Sequence, residues 1–300
     1  MSENKFSRQP RILLVKLSSF GDVLHALPTL EALRAAYPRA HITWLVEAAY
    51  APLLNGHPAL NEVWVAPRLR PAEFLSGANP ATLMTLLHRL RARPFDLVVD
   101  LQGLLKSAVW VALARSPRKV GYDRTRELSY LALTERVPAF DPEAHAVRHY
   151  LNLAHYLGAS PAPPRFRLGL DAAVDTSALV PVEAGQPLVV LHPGARWASK
   201  LWPPASWTRL AEWLSHRGFL VAVTGSRADQ ELAEGILGQS QAPLLNLAGR
   251  TSLAELAAVL RQARLAVTTD TGAMHLAAAL GTKVTALFGP TAPWRTGPFG

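Results

Sequence analysis

The sequence predicts an α/β protein with two Rossmann-like domains whose parallel sheets face a central cleft. Three observations support this. Apolar runs of strand length alternate with segments of helical periodicity along the chain. A proline-rich stretch at residues 159–164 interrupts the alternation near the middle, as semi-rigid linkers do. The length of 300 residues is large for one hydrophobic core, so two domains are expected.

The first alternating series lies before the proline-rich stretch. Apolar runs typical of strands occur at residues 11–15, 41–46, 62–65 and 96–100. Helical spacing of apolar residues occurs at 23–37, where Pro38 ends it, and at 82–91, 103–115 and 145–157. We therefore predict a first domain over residues 1–164, with helices on both faces of a parallel sheet.

A second alternating series follows a predicted linker at residues 165–186. Strands are predicted at 188–191, 220–223, 244–247, 265–268 and 284–287. Helices are predicted at 205–216, 229–237, 253–264 and 275–280. Ser252 and Glu255 stand at capping-box spacing before the third of these helices. The second domain thus covers 187–300, and residues 294–300 predict no closing helix.

Composition narrows the class of protein. Hydrophobic residues make up 49% and charged residues 18%, which excludes a disordered chain. The absence of cysteine excludes disulfides, thiolate metal sites and a cysteine nucleophile. The net charge of +9 predicts an anionic partner. Residues 1–5 lack an apolar core and no apolar run reaches spanning length, so we expect a cytoplasmic protein, free or on a membrane surface.

The segment from Asp270 to His275 is the most informative in the chain. Asp270, Thr271 and Gly272 end a predicted strand and open directly into a helix. Unpaired backbone N–H groups and the positive end of the helix dipole make such a junction suitable for phosphate. The alternative is an ordinary turn in which Thr271 caps the helix. His275 can donate to phosphate or satisfy a neighbouring carbonyl, and the sequence leaves both open.

A second glycine-containing turn follows the first predicted strand. Ser18, Ser19, Gly21 and Asp22 stand there, at the carboxyl end of a parallel strand, where ligands bind in open sheets. The carboxylate of Asp22 is either a helix cap or a general base for a hydroxyl nucleophile.

Polar loops also follow four strands of the second domain, at residues 192–200, 224–227, 270–272 and 289–291. All should open on the same edge of the sheet. Lys200 is then a candidate phosphate clamp, with Arg196 as a competitor, because an ammonium can neutralise a leaving diphosphate without a metal. The alternative for Lys200 is a solvated surface lysine.

Several other classes of function lack their motifs. No Asp-x-Asp pair and no histidine ligand cluster occurs, so no metal and no cofactor is expected. Neither domain carries Gly-x-Gly-x-x-Gly, a Walker lysine loop or a hydrolase elbow. No recognition helix and no aromatic-basic RNA signature is present, which argues against a nucleic acid partner.

Three motifs, in order, resemble the family 9 glycosyltransferases. They are residues 11–28, which contain Ser-Ser-Phe-Gly-Asp-Val-Leu-His, then residues 100–107 and residues 270–276. The resemblance runs from Arg11 to the end of the chain. It implies a GT-B fold, with ADP-L-glycero-D-manno-heptose as donor and, as acceptor, the inner Kdo of lipid A-linked lipopolysaccharide core. It also implies a peripheral position on the cytoplasmic face of the inner membrane.

The resemblance assigns roles to individual residues. Asp22 matches the family's catalytic base and Lys200 its diphosphate-binding lysine. The residues predicted to contact the donor are Ser18, Ser19, Gly21, His192, Gly194, Lys200, Trp202, Gly225, Asp270, Thr271, Gly272 and His275. The basic residues predicted to contact the anionic acceptor are Lys106, Arg124, Arg126 and Arg148.

The chain departs from the family pattern at two places. Gly225, Ser226 and Arg227 stand where the family often has a glutamate on the donor ribose, which leaves the ribose contact unassigned. Family members also usually continue past the last strand into a helix that packs back on the first domain, whereas this sequence stops at Gly300.

The predicted reaction is an inverting, metal-independent glycosyl transfer. Within the family, the alternative is an enzyme with another nucleotide sugar or acceptor, such as heptosyltransferase II. From a different class, the alternative is a non-catalytic protein that binds nucleotides or nucleic acid.

Overall fold

The computed structural model describes residues 9–68, 80–170, 174–181 and 185–299. It divides into two compact units, Met1–Gly169 and Leu170–Gly300. Residues 1–5, which bear on the predicted location, parts of the predicted linker at 171–173 and 182–184, and Gly300 lie outside the described residues. Each unit is built on its own parallel sheet.

In the described part of the first unit, six parallel strands form one open sheet. The strands are β1 (Arg11–Val15), β2 (His41–Glu47), β3 (Glu62–Ala66), β4 (Leu97–Asp100), β5 (Lys119–Tyr122) and β6 (Glu135–Val137). The helices are α1 (Phe20–Ala36), α2 (Pro80–Ala92), α3 (Leu105–Leu113) and α4 (Ala146–Tyr156), with 3₁₀ segments at Ala48–Leu53 and Arg126–Ala132. The sheet order is β3-β2-β1-β4-β5-β6.

The order of this sheet determines where a ligand can approach. Strand β1 pairs with β2 through Val15 and Leu45, and with β4 through Val15 and Asp100. From β1 the strand order continues through β2 and β3 on one side, and through β4, β5 and β6 on the other. The strand order therefore reverses between β1 and β4. Such a reversal is the switch point at which open parallel sheets bind ligands. Strand β4 is buried at every residue and β1 at every residue but Arg11, in keeping with their apolar sequences.

All strands and helices predicted for the first half are present, with ends shifted by a few residues. Helix α3 begins at Leu105 instead of 103 because Gly103 adopts the left-handed conformation, with φ of 64°. Strands β5 and β6 were not predicted. They have four and three residues, too few to show the alternation by which strands are recognised.

In the described part of the second unit, five parallel strands form the sheet. They are β7 (Leu188–His192), β8 (Leu220–Val223), β9 (Leu245–Asn246), β10 (Leu265–Thr269) and β11 (Val284–Leu287), in the order β11-β10-β7-β8-β9. The helices are α5 (Pro204–Ser215), α6 (Gln230–Gln239), α7 (Leu253–Gln262), α8 (Gly272–Ala279) and α9 (Pro293–Thr296), with 3₁₀ segments at Ala198–Lys200 and Arg227–Asp229.

The strands and helices predicted for the second half are confirmed. The capping box is present: the Ser252 N–H donates to Glu255 at 2.7 Å, and the Glu255 N–H donates back at 3.2 Å. No closing helix was predicted for residues 294–300, and the structure has one four-residue helix there, Pro293–Thr296, with proline at its first position. No helix in the described ranges is long and apolar enough to cross a membrane.

Candidate active site

Each unit carries a cluster of polar side chains at the carboxyl edge of its sheet. In the first unit, the cluster surrounds the loop between β1 and α1. In the second unit, it is formed by the loops that follow β7, β8, β10 and β11.

The Asp22 carboxylate is held at both of its oxygens. Oδ2 accepts hydrogen bonds from the Ser19 backbone N–H at 3.2 Å and from the Ser19 hydroxyl at 2.7 Å. Oδ1 accepts one from the Tyr150 hydroxyl of α4 at 3.0 Å. The side chain is still 39% exposed. Asp22 thus fixes the start of α1 and also presents a carboxylate to solvent, so the two roles left open by the sequence are compatible.

A buried ammonium lies behind this carboxylate. Lys16 is 2% exposed, and its Nζ donates to the Tyr150 hydroxyl at 2.7 Å and lies 3.9 Å from Asp22 Oδ1. The same ammonium is 4.7 Å from the centroid of the Tyr150 ring. A buried charge is costly unless it is paired. Lys16, Tyr150 and Asp22 therefore form one chain of charge-assisted hydrogen bonds.

The charges and hydrogen bonds among Lys16, Tyr150 and Asp22 determine the protonation states of Asp22 and Tyr150. Burial raises the pKa of Asp22, but the Lys16 charge and the bonds from Ser19 and Tyr150 outweigh it and bring the pKa to about 2. Burial and the Asp22 charge raise the pKa of Tyr150 well above its usual range. Burial lowers the pKa of Lys16, against the opposing charge of Asp22. At neutral pH, Asp22 is ionised and Tyr150 is a neutral donor.

The loop that carries Asp22 is also fixed by its neighbours in the sheet. The Ser18 N–H donates to Gln102 Oε1 at 3.1 Å, and the Ser18 hydroxyl accepts from the Lys106 ammonium. Lys106 also donates to Glu47 Oε1 at 2.9 Å, while Arg68 donates to Glu47 Oε2 at 3.1 Å. Of the predicted donor contacts, Ser18, Ser19 and Gly21 therefore lie in the first unit, around Asp22.

The predicted acceptor contacts separate into two groups. Lys106 lies in the cluster, one third exposed, beside Ser18 and Glu47. Arg124, Arg126 and Arg148 are exposed, the first two on the segment after β5 and the third in the first turn of α4. Their role in binding an acceptor stays a prediction.

In the second unit, Lys200 is brought to the turn after β10, as predicted. Its Nζ is 2.5 Å from Asp270 Oδ2, and Thr291 Oγ1 donates to the same oxygen at 2.5 Å. Thr269 Oγ1 donates to the Gly194 carbonyl at 2.5 Å, which joins the loops after β7 and β10. The Lys200 side chain is only 17% exposed, so the alternative of a freely solvated lysine is wrong.

The amino terminus of α8 adds further donors to this cluster. Thr271 precedes the helix in extended conformation, and its side chain accepts no capping hydrogen bond. Thr271 is the N-cap residue by position, but its Oγ1 is buried, has no hydrogen-bond partner and makes no capping bond. A buried hydroxyl without a partner is costly. The unpaired N–H groups at this helix terminus, Thr271 Oγ1 and the nearby ammonium together suit an anion. His275 lies in the first turn, half-buried.

Asp229 explains why glycine stands at Gly194 and Gly225, two of the residues predicted to contact the donor. A Cβ at Gly194 would collide with the Asp229 carboxylate, and one at Gly225 would lie 2.7 Å from Asp229 Cβ. The carboxylate is held in place by the Ser226 N–H at 2.8 Å and the Ser226 hydroxyl at 2.6 Å. Glycine is therefore required at both positions by packing within the unit.

His192 is buried and Trp202 is part-buried, and their contact with a donor stays a prediction. His192 is 8% exposed, and its Nδ1 is 3.0 Å from Thr224 Oγ1. Burial, against the charge of Asp229, lowers the pKa of His192 to about 4, so the ring is neutral at pH 7. Trp202 packs edge-on against the buried Trp207, with centroids 5.3 Å apart, and so forms part of the core.

In the part of the chain that the structure describes, no group of three or more His, Cys, Asp or Glu side chains could hold a metal ion. Lys200 and the helix terminus are positive groups of the second cluster, and Arg196 stands in the same loop as Lys200.

Sequence reasoning missed several members of these clusters, among them Lys16, Glu47, Asp229 and Tyr150. Glu47 ends β2 and could have been found by the same strand-end rule that singled out Asp22. Asp229 stands three residues after Ser226, at capping-box spacing. Tyr150 is 128 residues from Asp22 on a helix of its own, and no local pattern indicates the contact.

Comparison with known proteins reveals close similarity over almost the whole chain. A family described as "Glycosyltransferase family 9 (heptosyltransferase)" matches residues 83–300. Lipopolysaccharide heptosyltransferase 1 of Pseudomonas aeruginosa is 37% identical, over 97% of this chain and 81% of that protein. Lipopolysaccharide heptosyltransferase 2 of Escherichia coli is 30% identical, over 96% of this chain and 85% of that protein.

Solved structures extend the similarity to the fold. E. coli heptosyltransferase WaaC with ADP superimposes with a TM-score of 0.81 at 29% identity, over 97% of this chain and 91% of that one. The same protein with ADP-2-deoxy-2-fluoro heptose gives a TM-score of 0.78 at 29% identity, over 94% and 90%. The predicted α/β fold with two parallel sheets is thus confirmed.

Proposed function

The chain belongs to glycosyltransferase family 9, and we propose that it transfers L-glycero-D-manno-heptose from ADP-heptose to the Kdo sugar of lipid A-linked lipopolysaccharide inner core. The names of its relatives and the solved structure of WaaC with an ADP-heptose analogue support this donor and acceptor. The observation that carries the proposal is the Asp22 carboxylate, ionised, part-exposed and held by Lys16 and Tyr150 at the switch point of the first sheet.

Asp22 is the proposed general base. The acceptor hydroxyl attacks the anomeric carbon of heptose, the new C–O bond forms, and the bond from that carbon to the diphosphate oxygen breaks with inversion. The attacking oxygen becomes strongly acidic as its new bond forms. A carboxylate with a pKa of about 2 can therefore accept the proton late in the reaction.

The Lys200 cluster is the proposed site for the departing ADP. An ammonium has three N–H donors, and Asp270 accepts from one of them. The remaining donors and the N–H groups at the start of α8 can stabilise the negative charge that grows on the diphosphate. The buried Thr271 hydroxyl supplies one more group of the right polarity.

We also propose that the transfer needs no divalent metal, because Lys200 and the helix terminus supply the positive charge. Activity should then survive treatment with EDTA. Loss of activity with the chelator and recovery with magnesium would contradict this part of the proposal.

A lipid-linked acceptor places the reaction at a membrane. We therefore propose that the protein works as a peripheral enzyme on the cytoplasmic face of the inner membrane. The net charge of +9 supports attraction to anionic lipid. Nucleic acid is not a proposed partner.

A panel of donors and acceptors tests the function. Purified protein is incubated with ADP-heptose or with UDP-sugars as donors. The acceptor is either Kdo-lipid A or an acceptor that already carries one heptose. The products are identified by mass spectrometry. We expect turnover only with ADP-heptose and Kdo-lipid A. Turnover confined to the heptosylated acceptor would favour the function of heptosyltransferase 2, whose similarity is lower. Nucleotide binding without any transfer would favour a non-catalytic protein.

A further inference from the structure

Four apolar side chains are exposed on neighbouring segments of the first unit. Leu128 and Leu131, in the 3₁₀ segment after β5, are 61% and 64% exposed. Leu105 and Val109 of α3 are 57% and 37% exposed and stand one helical turn apart. We call these four residues the apolar cluster.

The two halves of the apolar cluster lie side by side. The Leu105 N–H donates to Glu127 Oε2 at 2.9 Å, which joins the start of α3 to the residue before Leu128. A Cβ added at Gly103 would lie 3.1 Å from the Thr125 side chain, so the two segments also approach closely upstream. The two pairs of exposed apolar residues therefore lie on adjoining segments, and exposed apolar groups of this kind mark interaction sites.

The backbone turns these leucines outward. Glu127 and Leu128 adopt left-handed conformations, with φ of 59° and 56°, which are costly for residues with a side chain. In the same segment, Tyr130 and Leu133 pack against the core of the unit. The core is thus filled by other residues, and the packing within the unit does not use Leu128 or Leu131.

Basic residues stand beside the apolar cluster. Arg124 has a 90% exposed side chain and Arg126 is exposed, and both come shortly before Leu128 on the same segment. Lys106, one third exposed, follows Leu105 directly. An apolar patch with a cationic rim matches an anionic lipid surface. A second copy of this chain on the same patch would bring like charges together.

The apolar cluster also borders the Asp22 loop. Helix α3 and the 3₁₀ segment follow the carboxyl ends of β4 and β5, the same edge of the sheet that carries Asp22. Lys106, next to Leu105, donates to the Ser18 hydroxyl of that loop. A surface held at the apolar cluster is therefore close to the proposed acceptor site.

We infer that the apolar cluster and its arginine rim dock this enzyme on the surface of an anionic bilayer, with the leucines inserted among the headgroups. The inference rests on the proposed function in one respect: a lipid-linked acceptor has its sugar at that surface. Docking there would present the acceptor sugar to Asp22 without extracting the lipid.

Vesicle flotation tests this docking. The full-length protein is mixed with phosphatidylcholine vesicles, with and without phosphatidylglycerol. We expect binding to the anionic vesicles that weakens at high salt. The Leu128→Ser/Leu131→Ser variant should partition at least about tenfold less, since two buried aliphatic side chains are lost. Met84→Ser is the matched control, because Met84 is 63% exposed on α2 of the same unit and outside the apolar cluster. Leu131→Ser alone should give a smaller loss of the same sign.

Turnover with a water-soluble acceptor that lacks acyl chains separates this inference from the proposed function. The double variant should keep wild-type turnover with that acceptor and lose it with vesicle-embedded acceptor. Equal vesicle binding by wild type and double variant overturns the docking surface. So does a loss of turnover with the soluble acceptor, or a change of oligomeric state in the variant. Absence of heptose transfer by the wild type would overturn the proposed function and leave the vesicle result standing.

Discussion

Both candidate clusters pair a lysine with an aspartate, but the more buried member of the pair is the lysine in the first unit and the aspartate in the second. In the first unit, the lysine is buried and the aspartate is accessible, with 2% of the Lys16 side chain and 39% of the Asp22 side chain exposed. In the second unit, the aspartate is the more buried partner, with 6% of Asp270 and 17% of Lys200 exposed. In each pair, the more accessible member carries the charge that the proposed chemistry needs.

This difference indicates how a fold repeated in two units can support opposite tasks. In each pair, the buried partner fixes the position of the accessible group. In the first unit, this gives an ionised carboxylate that can take a proton from a hydroxyl. In the second, it gives an ammonium that can meet a diphosphate. Substitutions in each pair test whether the accessible member does the work assigned to it.

The largest effect is expected for Asp22→Asn. Turnover should fall by roughly two to four orders of magnitude, as for the loss of a general base. ADP affinity, measured by calorimetry, should stay near the wild-type value, because the proposed nucleotide site is in the other unit. A melting curve controls for folding, since asparagine can still accept from Ser19. Turnover close to wild type would remove Asp22 from the mechanism.

The two clusters should also contribute to the free energy of unfolding over different pH ranges. Burial lowers the pKa of His192, in the second cluster, and of His57, in the first unit, to about 4. The unfolded chain therefore binds protons that the folded chain does not, and the free energy of unfolding should fall as pH decreases from about 6.5 to about 4. Linkage predicts about 3 kcal/mol for each imidazole. The depressed pKa of Asp22 contributes stability above about 3.8 that is lost only as pH falls through about 2.

Urea denaturation at a series of pH values checks this. His192→Gln should remove one imidazole's share of the slope of unfolding free energy against pH between pH 6.5 and 4. His57→Gln should remove a similar share. Asp22→Asn should leave the slope in that range unchanged. An unchanged slope in His192→Gln would show that the ring is not held neutral.

A smaller effect is expected for Lys200→Ala. One charge-assisted contact contributes roughly 1.5 to 3 kcal/mol, so ADP affinity should fall by about 10- to 150-fold and transfer should slow. Lys200→Arg should recover only part of this, because a planar fork does not reproduce a compact charge. Arg126→Ala should instead raise the Michaelis constant for the acceptor and leave ADP affinity unchanged. Equal ADP affinity in wild type and Lys200→Ala would contradict the nucleotide assignment.

The same contrast explains what the sequence could predict. The second cluster depends on strand-end loops, each recognisable from a contiguous segment, and the predicted approach of Lys200 to Asp270 is confirmed. The helices and the longer strands were likewise predicted by periodicity. Strands β5 and β6 were missed because three or four residues carry no periodic signal, and their place in the sheet depends on pairing with distant strands.

The first cluster was predicted only in part, because its chemistry depends on contacts between distant segments. The Asp22 motif is local, and the structure places it at the predicted strand end. That Asp22 is paired with a buried Lys16 through Tyr150 depends on how α4 packs on α1. The burial of His192 and the packing of Trp202 against Trp207 likewise follow from the packing of the whole unit, which one sequence does not specify residue by residue.

The smallest effect, and the sharpest test of the first pair, is expected for Tyr150→Phe. This substitution keeps the ring and removes the hydroxyl that donates to Asp22 and accepts from Lys16. A lost hydrogen bond of about 1 kcal/mol should lower turnover several-fold. The pKa of Asp22 should rise from about 2, since one bond to its charged form is gone, so the acid limb of the kcat/KM profile should move to higher pH. Tyr156→Phe on the same helix, where the side chain is 48% exposed, is the matched control and should leave the acid limb in place. If Tyr150→Phe lowers turnover without moving the acid limb, Tyr150 supports the packing of α4 alone, and the accessible carboxylate owes its charge to Lys16 and Ser19.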